Sequence, residues 1–384
     1  MTINNLGGLA RFVGSGDTVF IKPNVVVPEP PWTAVNTDPR VLEALIGILQ
    51  DADPKKIIVG EHVRWHGPRV FRVAAIDEAV KRAGGELVIL DDQEHIKVDI
   101  PGGECEKTAN LPKVYLDCDL LINVPKLKTH LDTLVTVCLK NLMGMVPSDP
   151  DCLDMHRHLP QSIADLYRLL KPGLNIVDGL IAHEGQGPLY GTPVPDMNVI
   201  LAGDDGVAVD AIACEVMGIH PLEVTTTRLA VLEGLGAGNL ADIELRGSEI
   251  RKVKRNFLTP MINAIGYMRY DGINYPIKMY VGETCPGCHG AIREQVDQLS
   301  LLAHFENIPA EKRKDLIIIT GRNAMVPDEL PEDSFVWIMG DCASEHKGKG
   351  CYEGGCPPPP SSNLGPGCIG MDLTWPVLGK GKNS

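Results

Sequence analysis

The chain has 384 residues, of which 44% are hydrophobic and 22% are charged, and its formal net charge is −14. The length predicts two or three domains, and the composition is typical of a globular protein and argues against a disordered chain. The acidic balance argues against a general nucleic-acid binder, because affinity for phosphates requires clustered Lys and Arg. No apolar run reaches the ~20 residues of a transmembrane helix, and residues 1–16 lack the pattern of a secretory signal. We therefore expect a cytoplasmic protein without nucleic-acid or membrane partners.

Short apolar strands alternate with amphipathic helices over residues 1–246. Strands are predicted at 19–21, 57–59, 87–90, 120–124, 174–177 and 199–202, and helices at 39–49, 70–83, 207–217 and 222–232. Unbroken apolar strands separated by helices are typical of a parallel sheet that is covered on both faces. The pattern predicts a large α/β domain with a doubly wound, mostly parallel sheet.

A second, smaller domain follows. Residues 247–276 are irregular and at first basic, which indicates a connector. Strand signals at 279–281, 316–319 and 335–339 then restart the α/β pattern. We predict a cysteine-rich α/β domain over 277–370 and a frayed tail over 371–384.

Six of the eleven cysteines lie in the last hundred residues. An odd number of cysteines in a cytoplasmic chain argues against a disulfide framework. Four of them follow predicted strands or close a glycine-rich loop, and loops at the carboxyl ends of neighbouring parallel strands meet at one edge of a sheet. The sequence therefore predicts one metal centre with thiolate ligands, with Cys351 and Cys368 as alternative ligands to the set Cys285, Cys288, Cys342 and Cys356.

Two kinds of metal centre suit four thiolates, namely zinc and an iron–sulfur cluster. Structural zinc sites commonly have two Cys-x-x-Cys pairs. This chain has one such pair, at Cys285 and Cys288, while Cys342 and Cys356 are far apart in the sequence. The loose spacing favours a 4Fe-4S cluster, and zinc or a metal-free set of thiols are the alternatives.

Basic residues accompany the strand ends of the large domain, where a doubly wound fold forms its ligand crevice. Lys22 ends the first strand, Lys126 and Lys128 follow another, and Lys140 is placed on a helix whose face Thr136 would share. In so acidic a chain, this grouping predicts a cationic pocket for a carboxylate or phosphate. The residues expected to bind this substrate are Lys22, Asn24, Lys128, His130 and Asn141.

Acidic residues occupy similar places after later strands. Asp178, Glu184 and Asp210 could ligate a cation, orient the lysines or act as general acid and base, whereas Asp205 is expected to cap a helix. The glycine-rich segment 184–188 is not followed by Gly-Lys-Ser or Gly-Lys-Thr, and no Gly-x-Gly-x-x-Gly follows the first strand. Nucleotide hydrolysis and a dinucleotide site are therefore not supported. The candidate catalytic residues are Lys126, Lys140, Asp178 and Glu184.

At these residues the chain resembles the prokaryotic domain-of-unknown-function 362 family. The similar segments span roughly residues 19 to 220 and are Ile21–Asn24, Pro125–His130, Leu139–Gly144, Ile176–Asp178, Glu184–Pro188 and Val207–Asp210. The resemblance implies binding of an iron–sulfur cluster, frequently in anaerobes, without one general reaction. Many members carry a ferredoxin run of four closely spaced cysteines, which this chain lacks. Its cysteines instead resemble those of family variants that have a Cys-x-x-Cys pair, a Gly-x-Cys strand end and a Gly-Cys-Pro-Pro segment. In this sequence these positions are Cys285, Cys288, Cys342 and Cys356.

The leading hypothesis is a cytoplasmic iron–sulfur enzyme of anaerobic metabolism. One 4Fe-4S cluster would face the cationic pocket and exchange a low-potential electron with an anionic small-molecule substrate. A donor such as ferredoxin would supply the electron, and the sequence leaves open whether the chain forms a homo-oligomer. In a second hypothesis the cluster acts as a Lewis acid in a dehydratase or isomerase. In a third, the protein is a non-catalytic carrier or scaffold for a metal cluster.

Overall fold

The structure is a computed structural model that describes residues 2–63, 66–147, 151–189, 191–260, 267–270, 273–284, 287–288, 290–292, 315–332 and 334–358. It divides into two compact units, residues 1–260 and 261–384. The boundary falls within the predicted connector. Residues 247–260 belong to the first unit, and the N–H groups of Arg255 and Phe257 donate to the carbonyl oxygens of Val216 and Met217.

A nine-stranded, mostly parallel sheet forms the centre of the first unit, in the order β3-β2-β1-β6-β9-β7-β8, with β10 and β11 also paired with β9. The order reverses between β1 and β6, and such a reversal opens a crevice at the carboxyl ends of the strands. A hairpin of β4 and β5 is separate from this sheet. The bounds are β1 (Thr18–Pro23), β2 (Lys56–Glu61), β3 (Glu86–Ile89), β4 (His95–Asp99), β5 (Thr108–Pro112), β6 (Leu120–Val124), β7 (Lys126–His130), β8 (Leu134–Thr136), β9 (Leu174–Glu184), β10 (Thr192–Val194) and β11 (Val199–Gly203).

Helices cover both faces of this sheet, as the α/β prediction requires. Neighbouring residues of β1 point in opposite directions, so that Phe20 joins one apolar core and Ile21 the other. Asp38 caps the second helix and Asp205 caps the ninth, which confirms the capping role expected for Asp205. The helices are α1 (Thr2–Asn5), α2 (Pro39–Gln50), α3 (Arg69–Val73), α4 (Ile76–Arg82), α5 (Lys113–Leu116), α6 (Cys138–Asn141), α7 (Asp151–Met155), α8 (Leu159–Leu170), α9 (Gly206–Met217), α10 (Thr225–Leu232) and α11 (Ile250–Val253).

The predicted elements are present with three informative differences. The helix expected over 70–83 is two helices, because Ala75 has φ 55° and interrupts α3 and α4. The segment expected as a loop after β6 is itself a strand, β7. The strand expected at 174–177 extends to Glu184 as β9, so that Asp178 lies within a strand rather than after one.

The second unit contains a five-stranded sheet in the order β12-β13-β14-β15-β16, parallel except for the antiparallel β12. Its strands are β12 (Tyr267–Tyr270), β13 (Ile273–Val281), β14 (Asp315–Thr320), β15 (Ser334–Met339) and β16 (Cys351–Glu353). This separate parallel sheet confirms the prediction of a second, smaller α/β region. Among the residues that the structure describes, no helix is long and apolar enough to cross a membrane.

Candidate functional site

Four lysines of the first unit, Lys22, Lys126, Lys128 and Lys140, form what is called here the lysine cluster. Lys22 lies in β1, while Lys126 and Lys128 lie two residues apart in β7 and therefore project from the same face of that strand. The side chains of these three are completely buried, whereas Lys140 on α6 is partly exposed. The sequence placed Lys126 and Lys128 after a strand, and the structure corrects this because β7 is inserted between β9 and β8.

Two of the buried lysines form ion pairs with carboxylates from neighbouring strands. Lys22 Nζ lies 2.7 Å from Glu61 Oε2, and Lys126 Nζ lies 2.8 Å from Asp178 Oδ2. Burial raises the pKa of Glu61 to about 7 and lowers that of Lys22, since both charged forms lose solvation. Asp178 also accepts the backbone N–H of Asp38. These pairs hold Lys22 and Lys126 in fixed positions.

Lys128 is buried without such a carboxylate. Its Nζ donates to the carbonyl oxygen of Val35 at 2.7 Å, and no carboxylate among the residues described pairs with it. Burial, and then the charges of Lys126 and Lys140, hold the pKa of Lys128 well below its usual range. The same burial, with Lys140 and Lys128, lowers the pKa of His130 well below its ordinary value. The charges of the cluster therefore act on one another within a region of low polarity.

His183, which the sequence analysis did not select, lies beside Lys128 in the register of β7 and β9. Its Nδ1 lies 3.0 Å from the carbonyl oxygen of Thr33, and its Nε2 accepts the N–H of Gly191. Burial, with the charges of Lys128 and Lys126, lowers the pKa of His183 to about 4. This histidine is consequently neutral at physiological pH.

Asn24 and Asn141 meet as the proposed pocket requires, since Asn24 Nδ2 donates to Asn141 Oδ1 at 2.9 Å. Thr136 does not share a helix face with Lys140, because Thr136 ends β8 and α6 begins only at Cys138. It lies instead opposite Lys128 in the pairing of β7 with β8. Its hydroxyl oxygen is buried and has no hydrogen-bond partner in the part of the chain described.

The remaining acidic candidates differ in their partners. Asp210 accepts the N–H groups of Cys138 and Leu139 and so caps the helix that carries Lys140, while burial raises its pKa to about 7. Glu184 accepts the N–H of Leu258 at the far end of β9. Asp178 is thus the acidic candidate that pairs with a lysine, and Asp210 acts on the cluster through α6.

Two further residues at the end of β2 and the loop after it were missed by the sequence analysis. Glu61 pairs with Lys22, and the next residue, His62, lies with its Nε2 3.0 Å from Nε2 of His95. His62 Nδ1 lies 2.9 Å from the carbonyl oxygen of Gly144, and burial lowers the pKa of His62 to about 4. Glu61 is the last residue of β2 and comes two residues after the apolar segment predicted as a strand, which is the one sequence signal that could have selected it.

In the described part of the second unit, the segments that carry Cys288, Cys342 and Cys356 lie close together. Cys288 Sγ lies near Gly340, where an added Cβ would be 3.2 Å from the sulfur. The N–H of Asp341 donates to Gly355, and the N–H of Gly355 donates to Asp341 Oδ1. The segments before Cys342 and Cys356 are therefore joined to each other and lie close to Cys288.

The cysteine set is incomplete in the structure. Cys285 and Cys368 lie outside the described residues, and in the part of the chain that is described no three His, Cys, Asp or Glu side chains are grouped closely enough to hold a metal ion. Cys351 lies within β16, opposite Trp337, rather than in an edge loop. Burial raises the pKa of the Cys351 thiol, which disfavours the thiolate form. The loops suit a thiolate centre, but the described thiols alone do not form one.

Comparison with known families identifies the first unit. The family "Domain of unknown function (DUF362)" matches residues 19–215, slightly more than half of the chain. The chain belongs to the DUF362 family. The matched range contains the whole lysine cluster, together with Glu61, Asp178 and His183, but none of the cysteines of the second unit. The matched range therefore covers the lysine cluster and not the candidate metal ligands.

Two individual proteins are similar to this DUF362 protein. The thylakoid-associated protein sll1697 of Synechocystis sp. is 29% identical over 244 residues, which cover 60% of this chain and 72% of the relative. The lactate racemase apoprotein from Thermoanaerobacterium thermosaccharolyticum is 11% identical, with coverage of 95% of this chain and 86% of that chain. The TM-score of that pair is 0.37, which supports no inference about fold or function.

Proposed function

We propose that this DUF362 protein binds a small anionic substrate, a carboxylate or a phosphate, at the lysine cluster. The observation that carries the proposal is Lys128, a completely buried lysine whose hydrogen-bond partner is a neutral carbonyl oxygen. The charges that act on it come mainly from other lysines, and Glu61 offsets them only in part. A buried cation is costly unless an opposite charge compensates it. A bound anion would supply that charge and favour the protonated form of Lys128.

The partners of the other lysines support different roles for them. Lys126 and Lys22 are paired with Asp178 and Glu61, so they hold N–H donors at constant positions without adding net charge to the site. Lys140 is partly exposed, which suits contact with an anion that enters from solvent. Asp210 accepts backbone N–H groups in the first turn of the helix that carries Lys140 and so fixes the position of that helix. Positioned donors of this kind stabilise negative charge that develops on a substrate by ~3 kcal/mol each.

The proposal includes an iron–sulfur cluster in the second unit, with Cys285, Cys288, Cys342 and Cys356 as ligands and zinc as the lesser alternative. It is supported by the convergence of the loops near Gly340. When bound, such a cluster would transfer single electrons at low potential. The protein would then act as an iron–sulfur oxidoreductase that a low-potential donor such as ferredoxin supplies. A cytoplasmic location is part of the proposal, since thiols stay reduced there.

The first experiment concerns the metal. The full-length protein is purified without oxygen, iron, sulfide and zinc are measured per chain, and EPR spectra are recorded before and after dithionite. About four irons and four sulfides, with a signal that dithionite changes, are expected for a 4Fe-4S cluster. One zinc without sulfide would contradict the redox function and leave only the anion site.

The second experiment concerns the anion. Binding of acetate and of inorganic phosphate is measured by calorimetry with the wild-type protein and with Lys140→Met, which removes the partly exposed charge of the cluster. The variant should bind these anions more weakly and keep its iron content. The control is Lys81→Met, because Lys81 is an exposed lysine of α4. Equal affinity of the wild type and the Lys140 variant would contradict the proposed role of the cluster.

A further inference from the structure

A continuous chain of four asparagine side chains crosses the first unit. Asn24 Nδ2 donates to Asn141 Oδ1, Asn141 Nδ2 donates to Asn123 Oδ1 at 2.8 Å, and Asn123 Nδ2 donates to Asn175 Oδ1 at 3.0 Å. Each of the four asparagines is at most 7% exposed. The hydrogen-bonded series therefore lies in the protein interior, where the orientation of each side-chain amide depends on its protein partners.

Backbone carbonyl oxygens fix these orientations. Asn123 Nδ2 donates to the carbonyl oxygen of Cys138, Asn175 Nδ2 donates to that of Gly203, and Asn141 Nδ2 donates to that of Lys22. A carbonyl oxygen accepts hydrogen bonds and cannot donate them, so exchanging the nitrogen and oxygen of any amide would place two acceptors against each other. Asn24 is the first residue of this hydrogen-bonded series. Its Nδ2 already donates to Asn141, and its Oδ1 remains available as an acceptor.

This acceptor has no donor in the described part of the protein. Asn24 Oδ1 is buried and has no hydrogen-bond partner there. Buried polar atoms are nearly always hydrogen-bonded, because an unpaired one loses its solvation without compensation. The position of Asn24 Oδ1 thus indicates a donor that the described part of the protein does not supply.

Hydrogen bonds place Asn24 next to the lysine cluster on two sides. Its backbone N–H donates to the hydroxyl of Thr37, and the next residue, Asp38, donates its N–H to Asp178, the partner of Lys126. On the other side, Asn141 directly follows Lys140 in α6. Asn24 is therefore connected, through Thr37 and Asp38 and through Asn141, to residues that pair with or adjoin Lys126 and Lys140.

We infer that Asn24 Oδ1 accepts a hydrogen bond from an O–H or N–H group of the bound anion. The inference rests on the proposed function and narrows its substrate class to anions that carry a donor beside the charged group, such as a hydroxycarboxylate or a protonated phosphate. An anion without a donor would leave the asparagine oxygen unpaired and would lose that interaction. Asn24 is then a residue that determines specificity, while the lysines supply the attraction for the charge.

The test compares anions that differ in one donor. Calorimetry at pH 7 measures the affinity of the full-length protein for glycolate against acetate and for inorganic phosphate against sulfate. The donor-bearing member of a pair should bind ~10-fold more tightly, as expected for one buried hydrogen bond. Binding of both pairs without any preference overturns the inference and leaves the proposed function intact. Binding of none of the four anions overturns both.

The variant Asn24→Ala separates recognition of the donor from a general effect on the site. It should reduce the affinity for the donor-bearing anions until the preference within each pair is lost, while the affinity for acetate and sulfate changes little. An equal loss for both members of a pair would assign Asn24 a positioning role and overturn the inference. Lys81→Met should retain the wild-type preference. If the alanine variant does not fold, the wild-type comparison alone decides.

Discussion

Lys126 and Asp178 occupy paired positions on the parallel strands β7 and β9, and their side chains form an ion pair of 2.8 Å with no exposed surface on either residue. The carboxylate also accepts the N–H groups of Asp38 and Leu180. Charges removed from water are tolerated when each is compensated by an opposite charge and by hydrogen bonds. The pair therefore fixes one lysine of the cluster within the buried part of the sheet, on the strand next to β8.

Replacing Asp178 by asparagine should destabilise the protein by about 3–5 kcal/mol, because it leaves the charge of Lys126 buried and uncompensated. The free energy of unfolding is measured with a chemical denaturant at pH 7. The double variant Lys126→Met with Asp178→Asn should be less destabilised than Asp178→Asn alone, since it contains no buried unpaired charge.

The matched control is an exposed ion pair of the same unit, between Arg82 on α4 and Glu43 on α2. Glu43→Gln should change the free energy of unfolding little, because solvent screens charges at the surface. A small effect of Asp178→Asn, similar to that of Glu43→Gln, would show that the buried pair does not determine stability.

Gly144 provides a test of the second ion pair. An added Cβ at this position would overlap Glu61 Oε1 and lie 2.7 Å from Lys22 Nζ. Gly144→Ala should thus force apart the Lys22–Glu61 pair and destabilise the protein by roughly 3 kcal/mol, from overpacking and from weakened pairing. The same variant should also weaken binding of inorganic phosphate, because Lys22 is displaced from the cluster.

Gly47 is the control for this glycine substitution. It lies in α2, is exposed, and has no atom within 4 Å of an added Cβ. Gly47→Ala should stabilise the protein by ~0.5–1 kcal/mol, since alanine is the better residue inside a helix. Similar effects of the two substitutions on stability would contradict the close approach at Gly144.

The sequence was informative about the fold where hydrophobicity follows secondary structure. The apolar strands β1, β2 and β6 and the capped helix α2 lie close to their predicted positions. The strand β7 was missed because its residues Lys126, Lys128 and His130 are polar, and polar residues normally indicate a loop. They are buried only because other strands supply the partners, which a local pattern does not contain. The break at Ala75 was likewise missed, since neither glycine nor proline marks it.

The candidate site was predicted in part for the same reason. The basic residues stood out in an acidic chain, and the structure brings Lys22, Lys126, Lys128 and Lys140 close enough to influence one another. Glu61 and His183 did not stand out, because a single polar residue at a strand end has many ordinary explanations. Their importance follows from contacts with residues that are distant in sequence, such as that of Glu61 with Lys22.

The neutral state of His183 predicts a loss of stability in mild acid. Its pKa is about 4 in the folded protein and near 6.5 when unfolded, so the unfolded chain takes up a proton first as the pH falls. The stabilisation is fully present above pH 6.5 and is lost between pH 6.5 and pH 4. The contribution of His183 to the free energy of unfolding should therefore fall by about 2 kcal/mol between pH 7 and pH 5.

Denaturant unfolding at both pH values checks this expectation with the variant His183→Gln. Glutamine does not titrate and keeps one donor and one acceptor for Thr33 and Gly191. The loss of stability between pH 7 and pH 5 should be smaller in the variant by the contribution of His183. His62 and His130, whose pKa values are also lowered, continue to destabilise both proteins in acid. Identical pH dependence of the two proteins would exclude a neutral, buried His183.

Gly340 tests whether the convergence of the cysteine loops serves a metal centre. An alanine there would place its Cβ 3.2 Å from Cys288 Sγ, at a residue with φ 88° that favours glycine. If the proposed cluster is bound there, Gly340→Ala should lower the iron and sulfide content of protein purified without oxygen, because the displaced thiol could no longer serve as a ligand. Gly348→Ala, where no atom lies within 4 Å of the added Cβ, should retain the wild-type content. Wild-type iron and sulfide in both variants, with unchanged stability, would place the metal ligands away from the loop that contains Gly340.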